Sequence, residues 1–295
     1  MLRQGLPSDH RRESRVSLSV MLAVMAAAAL HAGWNAVIKV GRDRFLSITV
    51  LSVAAAVVST LVLPFTDVPR LSAWPWLLAS VVLHVGYNLF LVQAYRVGDL
   101  GQVYPIARGA APLMTSIVAM AWLGERLPPV AVAGLLLLSA GVLLMAFAGQ
   151  GASRLEGRAV LFALGTSAFI ASYTLTDGIG SRLNGSPHGY AAWLFSIDGL
   201  AMFGLLLANR GLAGVRACWP LWRSGLPGGA MSLAAYWIVI WAMTRAPIAL
   251  VAALRETSVL FASAIAVLWL GERLTFRRVA AGVTIVLGIG MARAG

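Results

Sequence analysis

A six-residue run, Trp-Leu-Gly-Glu-Arg-Leu, occurs twice in the chain, at 122–127 and at 269–274. Each copy follows an arginine set inside an apolar stretch, Arg108 in the first and Arg255 in the second. The spacing is 147 residues in both cases, from 108 to 255 and from 125 to 272. Each arginine lies in a segment long enough to cross a bilayer. A guanidinium at membrane depth is costly, so it faces a bundle interior or a wet cavity and has a task there. Two of them at equivalent places point to a site on an axis that relates two halves of one chain.

Composition supports a bilayer setting. Of 295 residues, 59% are hydrophobic and 12% charged, and mean hydropathy is +0.82. That is the profile of a polytopic membrane protein rather than a soluble domain. The net charge of +12 comes from arginines scattered through short connections, not from a basic strip, so nucleic acid is not an expected partner. Cys218 is the only cysteine and the four histidines fit no zinc spacing, so no disulfide framework, metal site or cofactor is implied. Residues 1–17 form a polar tail carrying Arg3, Arg11, Arg12 and Arg15. The apolar run after it continues to Ile38 and reads as an uncleaved first span rather than a cleaved signal.

Ten segments have the roughly 20 mostly apolar residues that a bilayer core requires: 18–38, 46–65, 74–95, 102–123, 129–148, 159–176, 190–208, 225–244, 248–270 and 277–293. Gly and Pro punctuate the short connections between them. The domains expected are therefore five-helix repeats at 18–149 and 157–293. An odd number of spans per repeat forces the second copy to enter the membrane upside down. The expected fold is an all-α membrane protein of two inverted five-helix repeats around a central cavity, with substrate near the midplane. Ten spans put both termini on one side. A simple count of Arg and Lys favours termini outside, but the four arginines flanking the first span favour termini in the cytoplasm, and that placement in the inner membrane is the one adopted.

The paired Leu-Gly-Glu-Arg-Leu runs, the opening His31-Ala32-Gly33-Trp34-Asn35 and the tandem layout resemble EamA-type transporters of the drug/metabolite transporter superfamily. The resemblance covers essentially the whole chain. It implies ten helices with inverted halves, a cavity lined by helices 1, 3, 4, 6, 8 and 9, and a small polar metabolite as cargo. Fold alone does not name the cargo. The second half departs from the first in carrying Val259 where the first has Pro112, and Ala252 where it has Pro105.

Polar residues inside the spans mark the expected site. His31 and Asn35 share a face of the first span, and Tyr87 and Asn88 lie with His84 on the third. Tyr104 and Arg108 share a face of the fourth, where Pro112 frees the Arg108 carbonyl and suggests a broken helix. Tyr173 on the sixth span and Tyr236 with Trp237 on the eighth are expected cavity walls. Asp177 falls near the end of the sixth span and is expected to be solvated, while Glu125, Arg126, Glu272 and Arg273 lie at helix ends and are expected to serve as solvated caps or in packing rather than in substrate contact. Asp198, Glu256 and His84 are the groups for proton coupling or internal pairing. Arg108 and Arg255 are read as gripping an anionic group; the competing reading locks Arg108 to Asp198 or Glu256. Arg255 and Glu256 are neighbours about 100° apart on a helix, so one can face the cavity while the other meets a neighbouring helix.

These residues describe a secondary transporter, expected to export a small polar or zwitterionic solute such as an amino acid by alternating access, as a monomer or homodimer. Transport of phosphate- or phosphonate-bearing solutes, export of lipophilic cations, and a structural membrane subunit are the alternatives. No nucleophile–base pair or phosphate loop suggests an enzyme.

Overall fold

Long apolar runs and the turn residues between them produce helices and nothing else among the described residues. The computed structural model describes residues 16–38, 43–97, 100–147, 157–268, 271 and 274–294, with side chains of 36–38, Tyr95, Val97, 100–105 and 146–147 excepted. The helices are α1 (Leu18–Ile38), α2 (Arg44–Val62), α3 (Trp74–Val97), α4 (Leu100–Ala121), α5 (Pro129–Phe147), α6 (Gly157–Asn184), α7 (Pro187–Cys218), α8 (Trp222–Met243), α9 (Ile248–Arg255), α10 (Ser258–Leu268) and α11 (Phe276–Ala294). Short 3-10 turns follow α2 and α7. The N-terminal tail up to residue 15, Lys39, and the Glu272-Arg273 pair of the second run lie outside the described residues.

Among the described residues, six stretches are long and apolar enough to cross a bilayer: Leu18–Asn35, Arg44–Phe65, Trp74–Ala94, Gly157–Asn184, Pro187–Met243, which holds both α7 and α8, and Ile248–Leu268. Ile106–Ala121 and Pro129–Met145 are shorter apolar helices. Leu61, Val82 and Leu161 stand exposed on outer faces, where acyl chains rather than water suit them. This is a helical membrane protein.

Several features differ from the sequence expectation, among them α7, which reaches Cys218, ten residues beyond 208, across a non-helical Gly211. Helix α6 runs on to Asn184, eight residues beyond 176, and stops where Gly185 takes a positive φ of 75°. Asp177 is therefore interior and fully buried rather than solvated. The expected break in the fourth span is absent: α4 is continuous through Pro105 and Pro112. Ser167 Oγ of α6 reaches across to the Ala107 carbonyl, beside the one that Pro112 frees. The break falls instead in the second half, between α9 and α10. There the amides of Glu256, Thr257, Val259 and Leu260 each bond a carbonyl three residues back, tightening the chain into 3-10 geometry without any proline.

The repeat is visible in the packing. Pairing α1 to α5 with α6, α7, α8, α9–α10 and α11 in order, several of the larger interfaces map onto one another, while α4–α5 has no counterpart of similar size against α11. The α3–α6 contact matches α1–α8, α4–α6 matches α1–α10, and α2–α8 matches α3–α7, while α2–α7, α4–α9 and α5–α11 map onto themselves. The glycines of the two repeated runs match too: Gly124 and Gly271 have φ of 70° and 67°, the left-handed conformation that ends a helix. The α5–α11 seam is backbone on backbone. A Cβ on Gly134 would lie 2.4 Å from the Ala292 nitrogen, and one on Gly288 2.6 Å from that of Leu138.

Candidate functional site

A cavity of about 290 Å³ lies between α1, α2, α3, α6, α7, α8 and the α9–α10 pair. Its walls are mostly apolar and aromatic, and its polar groups are few. His31, Asn35, His84, Tyr87, Asn88, Tyr173, Tyr236, Asp198 and Arg255, all expected from sequence, line it. Phe195, Ser232 and Arg44 line it as well and were not foreseen. The lining reaches Asn35 and Arg44, toward the α1–α2 end of the molecule.

Helix geometry accounts for the walls. His31 accepts from Trp34 Nε1 (3.2 Å), and Asn35 Nδ2 donates to the His31 carbonyl (2.7 Å), so the α1 face is held by its own i+3 and i+4 neighbours. His84 Nδ1 bonds back to the Ser80 carbonyl (2.9 Å). The His84 ring stacks on Tyr173 with centroids 4.1 Å apart and meets Tyr236 edge-on at 5.5 Å. Tyr236 donates its hydroxyl to Asp177 Oδ2 (2.6 Å), and Tyr190 donates to Oδ1 (3.1 Å). Asp177 and Tyr190 thus lock the Tyr236 ring from behind. The sequence carried one sign of this arrangement, the shared helical face of Tyr173 and Asp177, which a premature helix end concealed.

Two buried ionisable groups, Arg255 and Asp198, face the cavity without a hydrogen-bond partner among the described residues, although Arg255 Nε stands 3.6 Å from Glu256 Oε1. Arg255 is 4% exposed and makes no hydrogen bond with any described residue; its guanidinium lies 5.9 Å from the ring centroids of Tyr173 and Tyr236. Those contacts are cation–π attractions, which leave its N–H donors free to meet an acceptor. Asp198, on α7, is 6% exposed and its Oδ1 has no donor. Buried charges are ordinarily paired, and those left open mark a place where something arrives.

Arg108 and Glu256 are arranged differently. Arg108 Nε lies 2.7 Å from Glu256 Oε2, and its NH2 group donates to Ser258 Oγ at 3.3 Å. Neither Arg108 nor Glu256 lines the cavity. Glu256 Oε1 stands 3.6 Å from Arg255 Nε, so one carboxylate sits between two guanidiniums. Of the two arginines read together from sequence, only Arg255 meets the open space. The reason is angular: the tightened turn at 256–257 points Glu256 at α4 while Arg255 keeps to the cavity face. Trp237 also departs from its expected place. It donates to His188 Nδ1 (2.8 Å), one helical position round from Tyr236 and away from the cavity. The Tyr104 side chain lies outside the described residues.

The first repeated run has a structural task. Glu125 accepts from the Ile248 amide (2.7 Å) and the Ala249 amide (3.1 Å), capping α9 across the boundary between halves. Arg182 adds bonds to the Met243 and Ala246 carbonyls and lies 3.5 Å from Glu125. A carboxylate at a helix N-terminus satisfies orphan amides and meets the positive end of the helix dipole. At the opposite end of the molecule Asp43 caps α2 through the Leu46 amide (3.1 Å) and pairs with Arg210 (2.6 Å). Partial burial raises the Asp43 pKa, but the Arg210 hydrogen bond and charge and the amides of Leu46 and Phe45 outweigh it and hold the group below the usual carboxylate range. Among the described residues no cluster of three His, Cys, Asp or Glu could hold a metal.

Comparison with known proteins places this architecture. The model of the EamA-like transporter family matches twice, over residues 18–147 and 157–293. A search of curated proteins gives no match. A solved protein described only as a crystal structure of a protein superposes with a TM-score of 0.73 at 18% identity, over 93% of this chain and 98% of its own. At that identity the likeness shows a shared fold.

Proposed function

The chain belongs to the EamA-like transporter family, and from that premise we propose that it exports a small zwitterionic metabolite, an amino acid or close analogue, by alternating access. The observation that carries the substrate class is the pair of opposite charges in one cavity, Arg255 and Asp198, neither hydrogen-bonded by a described residue. Arg255 receives the carboxylate as a charge-assisted contact, and Asp198 receives the ammonium group. Tyr87, Tyr173, Tyr236 and Phe195 form the walls, and Asn35 and Asn88 orient the solute. A lipophilic cation would use Asp198 and the aromatic walls but would meet Arg255 in the same space, which disfavours it.

Ten spans in two inverted repeats supply the motion, with α9 and α10 counted together as one span. The interfaces that map onto one another when the halves are exchanged support this reading, because two states related by the same axis then cost similar packing energy. The cavity reaches the α1–α2 end, while the opposite end is packed by the Glu125 and Arg182 contacts. With the termini in the cytoplasm of an inner-membrane protein, the described state is the one open to the outside.

The test is ligand-induced thermal stabilisation of purified protein against amino acids, aminophosphonates, nucleotide sugars and lipophilic cations, since a ligand that binds only the folded state raises apparent stability. Stabilisation by zwitterions, abolished in Arg255→Ala with the protein still folded, is the expected result. Stabilisation by cations alone would overturn the proposal.

A further inference from the structure

We propose that Glu256 sets the charge of the accepted headgroup, restricting the site to solutes that present a single negative charge. This deepens the reading above and rests on it. The repeat supplies two arginines but one carboxylate: the position matching Glu256 is Gly109. A side chain there has no room, since a Cβ on Gly109 would sit 2.6 Å from Leu143 Cδ2. The centre therefore holds Arg108, Arg255 and Glu256, all at least 96% buried. Glu256 lies nearer Arg108 (2.7 Å) than Arg255 (3.6 Å), and neither Glu256 nor Arg108 reaches the cavity.

Ionised, the three groups sum to one positive charge, and it is presented to the cavity by Arg255. One carboxylate from the solute balances it. A second negative charge on the same headgroup meets Glu256 behind Arg255 and Asp198 on the same cavity, with no described cation left to receive it at that depth. Arg44 is the other cation of the lining, but it begins α2, at the outer end. Glu256 thus acts through Arg255 as a specificity-determining residue and does not touch the solute.

The experiment compares each stabilising amino acid with its 1-aminophosphonate analogue, at a pH where the phosphonate is doubly ionised. Dissociation constants are measured on the purified full chain in four forms: wild type, Glu256→Gln, Arg108→Gln and the Arg108→Gln/Glu256→Gln double variant. Their central charges are one, two, zero and one. Wild type prefers the carboxylate. In Glu256→Gln the carboxylate-to-phosphonate preference falls by about tenfold or more, the scale of one charge-assisted contact. The double variant returns to the wild-type preference, and Arg108→Gln binds the carboxylate at least about tenfold more weakly than the double variant does. If Glu256→Gln does not fold, the last comparison carries the test alone. An unchanged preference in a folded Glu256→Gln, or a double variant no tighter than Arg108→Gln, would overturn the inference while leaving the transporter reading intact. Wild type that binds no amino acid would overturn both.

Discussion

Arg108 from the first half of the chain and Glu256 from the second meet at 2.7 Å in the centre of the molecule, nearly sealed from the surroundings. The contact joins α4 to the tightened turn between α9 and α10, the two segments that carry the repeated arginines. A buried ion pair of this kind contributes little net stability, because desolvation offsets attraction, but breaking it from one side is severe. Its value lies in deciding which arginine remains open to the cavity.

Asp198 separates two roles, ammonium receptor and proton carrier. Asp198→Asn should weaken zwitterion binding by about tenfold or more, one lost charge-assisted contact. If Asp198 serves only the ammonium group, residual transport in liposomes keeps the wild-type pH dependence. Loss of pH dependence with transport retained would make the residue the proton carrier instead.

Glu125 should matter to stability more than its place at a helix end suggests. Glu125→Ala strips the cap from two amides of α9 and should cost about 1–2 kcal/mol. Thermal melts in detergent check this. The Glu125→Gln variant, which keeps an acceptor but loses the charge, should fall between the two. Equal melting of all three would remove the capping role.

The α5–α11 seam should reject even a methyl group. Gly288→Ala pushes a Cβ against the Leu138 backbone and should destabilise by about 1–3 kcal/mol. Gly290→Ala, two residues away with nothing within 4 Å, serves as the control and should be neutral or slightly stabilising. The yield of monodisperse protein and its melting temperature report both.

Acid should loosen the α2 end through Asp43. Its folded pKa is depressed below the ordinary 3.8, so its contribution is fully present above that value and is lost as pH falls through the folded pKa. The pair with Arg210 is more than a third exposed, so screening keeps the effect under about 1 kcal/mol. Melts of wild type and Asp43→Asn should differ modestly at neutral pH, less so in high salt, and converge only as pH falls below 3.8 and through the depressed folded pKa.

Much of the fold was legible because repetition is a property of the sequence itself. Arg108 and Arg255 announced a shared axis, and the apolar runs set most helices to within a few residues. What escaped depended on tertiary direction. Pro112 predicts a break that α4 does not show: the helix runs unbroken from Leu100 to Ala121. The second half breaks without proline. Asp177 looked solvated because α6 was ended too soon. Trp237 and Tyr236 are adjacent in sequence, and only the packing of α8 decides that Tyr236 faces the cavity while Trp237 turns to His188. Glu125 reaching α9 is a contact across 123 residues of chain, which no local pattern encodes.

The glycine seam between α5 and α11 has a consequence for biogenesis. Synthesis runs from the N-terminus, so α5 is made while its partner, α11, is still unwritten. The grooved face around Gly134 and Gly141 must wait, covered by lipid or by the insertion machinery, until α11 is released. Closure of the bundle must therefore wait for α11, and a chain truncated before Phe276 would leave α5 without the helix that covers this face among the described residues.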